Sequence, residues 1–170
     1  MKGLVALVAV IALATVATAC AQAHRAAPMC TGAQLKATFK VVPGSAGAGN
    51  IVYRLVVTNK SSSACSVTGL PRVTLLTKLG KVNPTHVRAA FPQSLTAVLV
   101  TLAPGKSAQA TARFSPDVTG VGDHMGARCQ PLSYWLRVSA PGGGTTKATI
   151  TPATSVCERG TLQFRAYSRV

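Results

Sequence analysis

The sequence predicts an all-β fold, an antiparallel β-sandwich of about eight strands stapled by two disulfides. Three observations predict it. Apolar and polar residues alternate with period two through most of the chain. Clusters of Gly, Pro, Ser and Asn separate the alternating runs. An even set of four cysteines, Cys30, Cys65, Cys129 and Cys157, follows the N-terminal segment.

The runs come in order. Leu35, Ala37, Phe39 and Val41 share one face, with Lys36, Thr38 and Lys40 on the other. Ile51, Tyr53, Leu55 and Val57 repeat the pattern, with Arg54 pointing away. Ala108, Ala110, Ala112 and Phe114 alternate with Ser107, Gln109, Thr111 and Arg113. Tyr134, Leu136 and Val138 alternate with Ser133, Trp135 and Arg137, and Leu162, Phe164 and Ala166 with Gln163 and Arg165. Weaker alternation marks Val73 to Leu76, Leu95 to Leu102 and Thr146 to Thr151. The turn clusters at 43–49, 59–63, 104–105 and 141–144 bound these strands, since Gly supplies positive φ and Pro fixes it. No stretch carries a helical stripe, no repeat or linker divides the chain, and 24–170 reads as one domain with its core at about 30–167.

The N-terminal segment predicts export. Lys2 precedes an apolar run, Leu4 to Ala19, that ends in small residues. That run is shorter than the ~20 residues a spanning helix needs, and nothing later is apolar for long enough. Residues 1–23 read as a signal peptide cut after Ala21-Gln22-Ala23, which gives a secreted protein. Alternatively Ala17-Thr18-Ala19-Cys20 serves as a lipobox, and the mature protein is a lipoprotein of the envelope anchored through acylated Cys20. No transmembrane helix is expected in the mature chain under either route.

In an exported chain four cysteines read as two disulfides, with three possible connectivities. The hairpins choose between them. A glycine-rich loop joins 35–41 to 51–57, so Cys30 lies just before the start of one strand and Cys65 just after the end of its partner. The same relation holds for Cys129 and Cys157 around 133–138 and 146–151. The pairing expected is Cys30–Cys65 and Cys129–Cys157, and the chain-entropy model values loops of this size at about 3–4 kcal/mol each.

Charge narrows the partners. There are 18 Lys and Arg against three acids, Asp117, Asp123 and Glu158, for a net charge of +15. Such a surplus favours polyanions. Export argues against nucleic acid and leaves an anionic envelope polymer, acidic lipid or an acidic protein. Lys36, Lys40, Arg54, Arg113, Arg137 and Arg165 all fall on the outward parity of their strands, with Trp135 and Tyr167 on the same parity. Arginine beside aromatic rings suits anion contact, so these six are the candidate contact residues. The bland alternative is a set of solvated sheet faces, with charges that discourage edge pairing.

The order of features also resembles a known family. Gly47-Ala-Gly-Asn50 opens a strand, and Leu55-Val-Val-Thr-Asn59 leads to Ser63-Ala-Cys65-Ser-Val-Thr-Gly-Leu-Pro71. Downstream follow Leu102-Ala-Pro-Gly-Lys-Ser-Ala108, Cys129-Gln-Pro131 and Val156-Cys157. In this order and spacing the chain resembles the actinobacterial family called domain of unknown function 4232, exported proteins and lipoproteins of the cell envelope. Leu70 stands where that family more often has an aromatic. The resemblance implies an immunoglobulin-like sandwich outside the membrane and brings no catalytic residues.

Enzymatic constellations are thin. Asp117, Asp123 and Glu158 offer carboxylates for acid–base chemistry, but loop aspartates beside Pro116 and Gly122 serve equally to hold backbone amides. Asp123-His124 near Cys129, with His86 elsewhere, lacks the ligand spacing of a zinc site. There is no Gly-x-Ser-x-Gly elbow and no phosphate-binding glycine loop. No cofactor, metal or catalytic residue is expected. The reading is a non-catalytic envelope domain that binds an anionic component through its basic strand faces. The alternative is a protein-interaction or structural module without such a ligand.

Overall fold

The computed structural model describes residues 26–94, 96–123 and 129–170. The expected signal peptide, Cys20 and His124 lie outside the described residues.

Eleven strands are present among the described residues. They are β1 (Leu35–Val41), β2 (Ile51–Asn59), β3 (Cys65–Val67), β4 (Arg72–Leu76), β5 (His86–Ala89) and β6 (Val100–Leu102), then β7 (Ser107–Phe114), β8 (Ser133–Ser139), β9 (Thr145–Thr154), β10 (Thr161–Phe164) and β11 (Ser168–Arg169). Among the described residues helix is confined to single turns, and none is long and apolar enough to cross a membrane.

One hydrogen-bonded path runs β4-β8-β9-β1-β2-β7-β10-β5, with β11 also on β7 and a separate β3-β6 pair. Its two ends approach each other. The Leu75 amide on β4 donates to Thr85 Oγ1 at 2.9 Å, and the Asn83 amide donates to the Leu75 carbonyl at 2.9 Å. The sheet therefore comes close to closing into a barrel. The expectation of antiparallel pairing throughout is corrected at two joins. β1 runs parallel to β9 over Phe39↔Ile150 and Lys40↔Thr151, and β10 runs parallel to β5.

Both expected hairpins form. β1 pairs with β2 from Leu35↔Asn59 to Val41↔Tyr53, and β8 pairs with β9. The turn into β2 has Ala48 and Gly49 at φ 47° and 72° between the bridged Gly47 and Asn50, the left-handed pair a two-residue hairpin turn requires. Both disulfides join the expected partners, Cys30 to Cys65 with Cα atoms 4.8 Å apart and Cys129 to Cys157 at 5.2 Å. Cys65 sits in β3, so the first bridge also ties the chain entry to the small β3-β6 pair.

The inward parity is as the alternation predicts. Leu35, Phe39, Tyr53, Leu55, Val57, Ala108, Ala110, Ala112, Leu136, Val138, Leu162 and Phe164 are buried in one cluster. Its centre is aromatic: Tyr53 lies 5.1 Å from Phe39 and 5.2 Å from Phe114, ring centre to ring centre. The Tyr53 hydroxyl donates to the Pro152 carbonyl at 2.8 Å, which satisfies the one polar group such a ring brings inside.

Three expectations are corrected. Of the described residues in the 95–102 run only Val100–Leu102 is strand, and Val98 and Leu99, which break the alternation, are about half exposed. Tyr134 is only half-buried because the β8–β9 register shifts between Ser133 and Trp135. Tyr167 is buried, not outward. Phe164 faces Ala112 and Ser168 faces Gln109, so β10 and β11 set one more residue against β7 than β7 sets against them. That bulge reverses the parity and turns Tyr167 into the core.

Candidate functional site: a basic sheet face

Cross-strand register assembles most of the candidate cations on one outward face. Lys40 on β1 is directly opposite Arg54 on β2, and Arg54 is opposite Thr111 on β7. The Arg165 amide donates to the Thr111 carbonyl at 2.9 Å, which brings Arg165 to the end of the same row. In the next row Val52 faces Arg113, Arg113 faces Gln163, and Gln163 faces Arg88 on β5. Lys40, Arg54, Arg113, Arg165 and Arg88 are all exposed. Lys36 is exposed further along β1, opposite Thr58.

Local contacts shape this face. The Arg165 guanidinium stacks on the Phe91 ring at 4.9 Å, which leaves its edges free for an acceptor. A shallow depression of about 170 Å³ lies between Arg54 and Arg165, floored by Thr111 and flanked by Gln109 and Ser168. Beyond Arg88 the face runs into an open cleft of about 560 Å³ lined by His86, Arg88, Arg159 and Glu158.

Arg137 does not join them. It lies on β8 between Thr74 and Lys147, on a different stretch of the sheet. Trp135 is on that stretch too, with Lys147 Nζ 4.5 Å from its ring centre. The aromatic partner expected beside the main cluster is therefore absent: Trp135 serves a second basic surface, and Tyr167 is inside. Phe91 takes that place, outside any strand. Arg88 was missed because β5 shows only two alternations, too few to separate a strand from a loop.

The acids are arranged for structure. Asp123 accepts from the amides of Glu158 (2.6 Å), Arg159 (2.9 Å) and Gly120 (2.9 Å) and from Gln130 Nε2 (3.2 Å). Glu158 and Arg159 have φ of 53° and 56°, and successive left-handed residues aim both amides at one anion. Burial raises the Asp123 pKa, but these hydrogen bonds outweigh it and hold the carboxyl at about 2. Asp117 is exposed on the loop after β7, and Glu158 is exposed on the far side of the left-handed turn. Asp123, Cys129 and Cys157 bring donor atoms within 4.8 Å of one another. They do not suit a metal: the two sulfurs are bonded to each other rather than present as thiolates, and the carboxylate oxygens are occupied.

The motif residues also meet in space. Asn59 is fully buried; its Nδ2 donates to the Ser63 and Leu102 carbonyls at 2.8 and 2.9 Å, and its Oδ1 accepts from Ser61. The Asn59 carbonyl accepts from Gly105, in the Pro-Gly turn before β7. The signature of the family described as domain of unknown function (DUF4232) matches residues 30–168. The chain belongs to this family. No curated protein matches the chain.

In this DUF4232 domain the two most specific motifs are one structural unit. Thr58-Asn59 and Leu102-Ala-Pro-Gly105 meet through the Asn59 side chain, and Cys65 faces Leu102 across β3 and β6. The Gly69-Leu-Pro71 segment is fixed by the Tyr167 amide, which donates to the Gly69 carbonyl at 3.0 Å. These roles are architectural, so the DUF4232 motifs account for the fold and leave the basic face as a property of this chain's surface.

Proposed function

We propose that this DUF4232 domain is an exported, non-catalytic component of the cell envelope that binds an anionic envelope polymer or acidic lipid through the outward face of β1, β2, β7, β10 and β5. The observation that carries the reading is the direct opposition of Lys40 and Arg54, with Arg113, Arg165 and Arg88 in the same two rows. Like charges facing each other across strands cost stability. An anion seated over them offsets that cost, and the depression between Arg54 and Arg165 suits a phosphate, sulfate or carboxylate group. Export is supported by the two disulfides and by the apolar 1–23 segment, with a plain secretory cut or acylation of Cys20 as its two outcomes. The absence of catalytic machinery in this reading is supported by the structural employment of Asp123.

The fold is taken here as an immunoglobulin-like sandwich whose layers are β4-β8-β9 and β1-β2-β7-β10-β5. Support comes from the short join between them, two residue pairs between β1 and β9.

The test is binding of the purified domain to vesicles containing acidic lipid, and to a soluble anionic polysaccharide, as salt is raised. Affinity is expected to fall steeply with ionic strength and to collapse in a variant carrying Lys40→Glu, Arg54→Glu and Arg113→Glu. Binding that ignores both salt and that variant would sink the reading.

A further inference from the structure

The sheet fails to close along one line, and the gap has the chemistry of a strand-binding slot. The Leu75 amide and carbonyl point away from β8, toward Thr85 and Asn83. Hydrogen-bonding direction repeats every second residue, so the amide and carbonyl of Val73 point the same way. On the facing edge the Ala90 amide donates to Phe164 of β10, so the main-chain groups of Val87 and Ala89 point away from β10. Toward Leu75 the gap is shut by Thr85 and Asn83; toward Val73 and Val87 it opens into a groove of about 670 Å³. Leu70, Pro71, Arg72 and Tyr167 complete its walls.

The groove is also where the core is least covered. Of the five half-buried apolar residues packed against the core, three, Leu70, Val73 and Val87, line it. Tyr167 is buried at its base, and among the described residues its hydroxyl has no protein partner and is not sealed from the groove. Main-chain donors and acceptors that have no partner among the described residues on either edge, with half-covered apolar side chains between them, are what an added strand satisfies.

We propose that an extended segment of an acidic partner protein inserts between β4 and β5, pairing its main chain with Val73 and Val87 and burying an apolar side chain against Leu70 and Tyr167. Charge selects the occupant. Exposed Arg72 stands at the groove and the chain carries +15, which repels a second copy of itself and attracts acidic flanks. The slot uses the free main-chain edge of β5 and the basic face its outward side chain Arg88, so either can fail alone.

The experiment uses the full mature chain and a synthetic peptide of alternating valine and aspartate, about seven residues long, an ordinary strand length. Amide exchange is followed by NMR with and without the peptide. Val73 and Val87 amides are expected to exchange freely alone and to become protected on addition. A peptide N-methylated at alternate positions, unable to donate to an edge, is expected to bind about tenfold more weakly or worse. Equal binding of the N-methylated peptide, or chemical-shift changes confined to the Lys40–Arg54 face, overturns the proposal. So does protection of both amides before any peptide is added: concentration-dependent protection would assign the slot to a second copy, and concentration-independent protection to the chain's own N-terminal segment.

Discussion

Lys40 and Arg54 stand directly opposite each other on neighbouring strands, both exposed, at the β1–β2 end of the basic sheet face. Folding alone does not favour this pair.

Removing one member should therefore separate stability from binding. Lys40→Thr is expected to raise stability by about 0.2–1 kcal/mol, the scale of a cross-strand pair, while weakening binding to acidic vesicles several-fold. Urea melts and vesicle co-sedimentation on the same preparation read both. A variant that loses stability would show that Lys40 contributes to the fold rather than opposing it.

Asp123 gives the fold a dependence on acid. Its carboxyl is held at about 2, below the ordinary 3.8, so the folded state favours the charged form. The stabilisation is fully present above about pH 4 and is lost as pH falls toward 2. Asp123→Asn is expected to cost about 1–2 kcal/mol at neutral pH, discounted for its contact with solvent, and to flatten the stability profile below pH 4. Denaturant midpoints from pH 2 to 7 for both proteins check the sign.

The two disulfides should matter about equally. They close separations of 35 and 28 residues, a difference worth only about 0.2 kcal/mol in chain entropy. Replacing either pair by serines is expected to cost about 2–5 kcal/mol. A loss at Cys129–Cys157 much larger than at Cys30–Cys65 would show that the bridge also positions the Asp123 loop, and melts of the two double variants measure it.

Gly160 carries a double constraint. It has φ of 80°, and a Cβ there would run into the Pro84 carbonyl, which leads into β5. Gly160→Ala is expected to cost about 2–4 kcal/mol and to loosen β5 first. Amide exchange of Val87 and Ala89 against that of β2 tests the order.

Much of this was readable from residues alone, for a physical reason. Strands of seven or more residues, such as β1, β2 and β7, repeat the period-two pattern often enough to be distinct, and their inward faces are the observed core. Cys30, Cys65, Cys129 and Cys157 could be paired because hairpin geometry places strand ends side by side. The two- to four-residue strands β3, β5, β6 and β11 carry too few alternations to announce themselves, and with β5 went Arg88.

What the sequence by itself determined was the strand character, the inward and outward parity, the disulfide partners and the excess of positive charge, because each follows from local periodicity or composition. Beyond the two hairpins, only the tertiary structure decided which strands became neighbours. That choice set Arg113, Arg165 and Arg88 beside Lys40 and Arg54, sent Arg137 to another surface, turned Tyr167 inward through a one-residue bulge and left β4 and β5 unjoined. The reason is that non-local pairing depends on how the whole sheet twists and packs over one core, and no single stretch of chain encodes it.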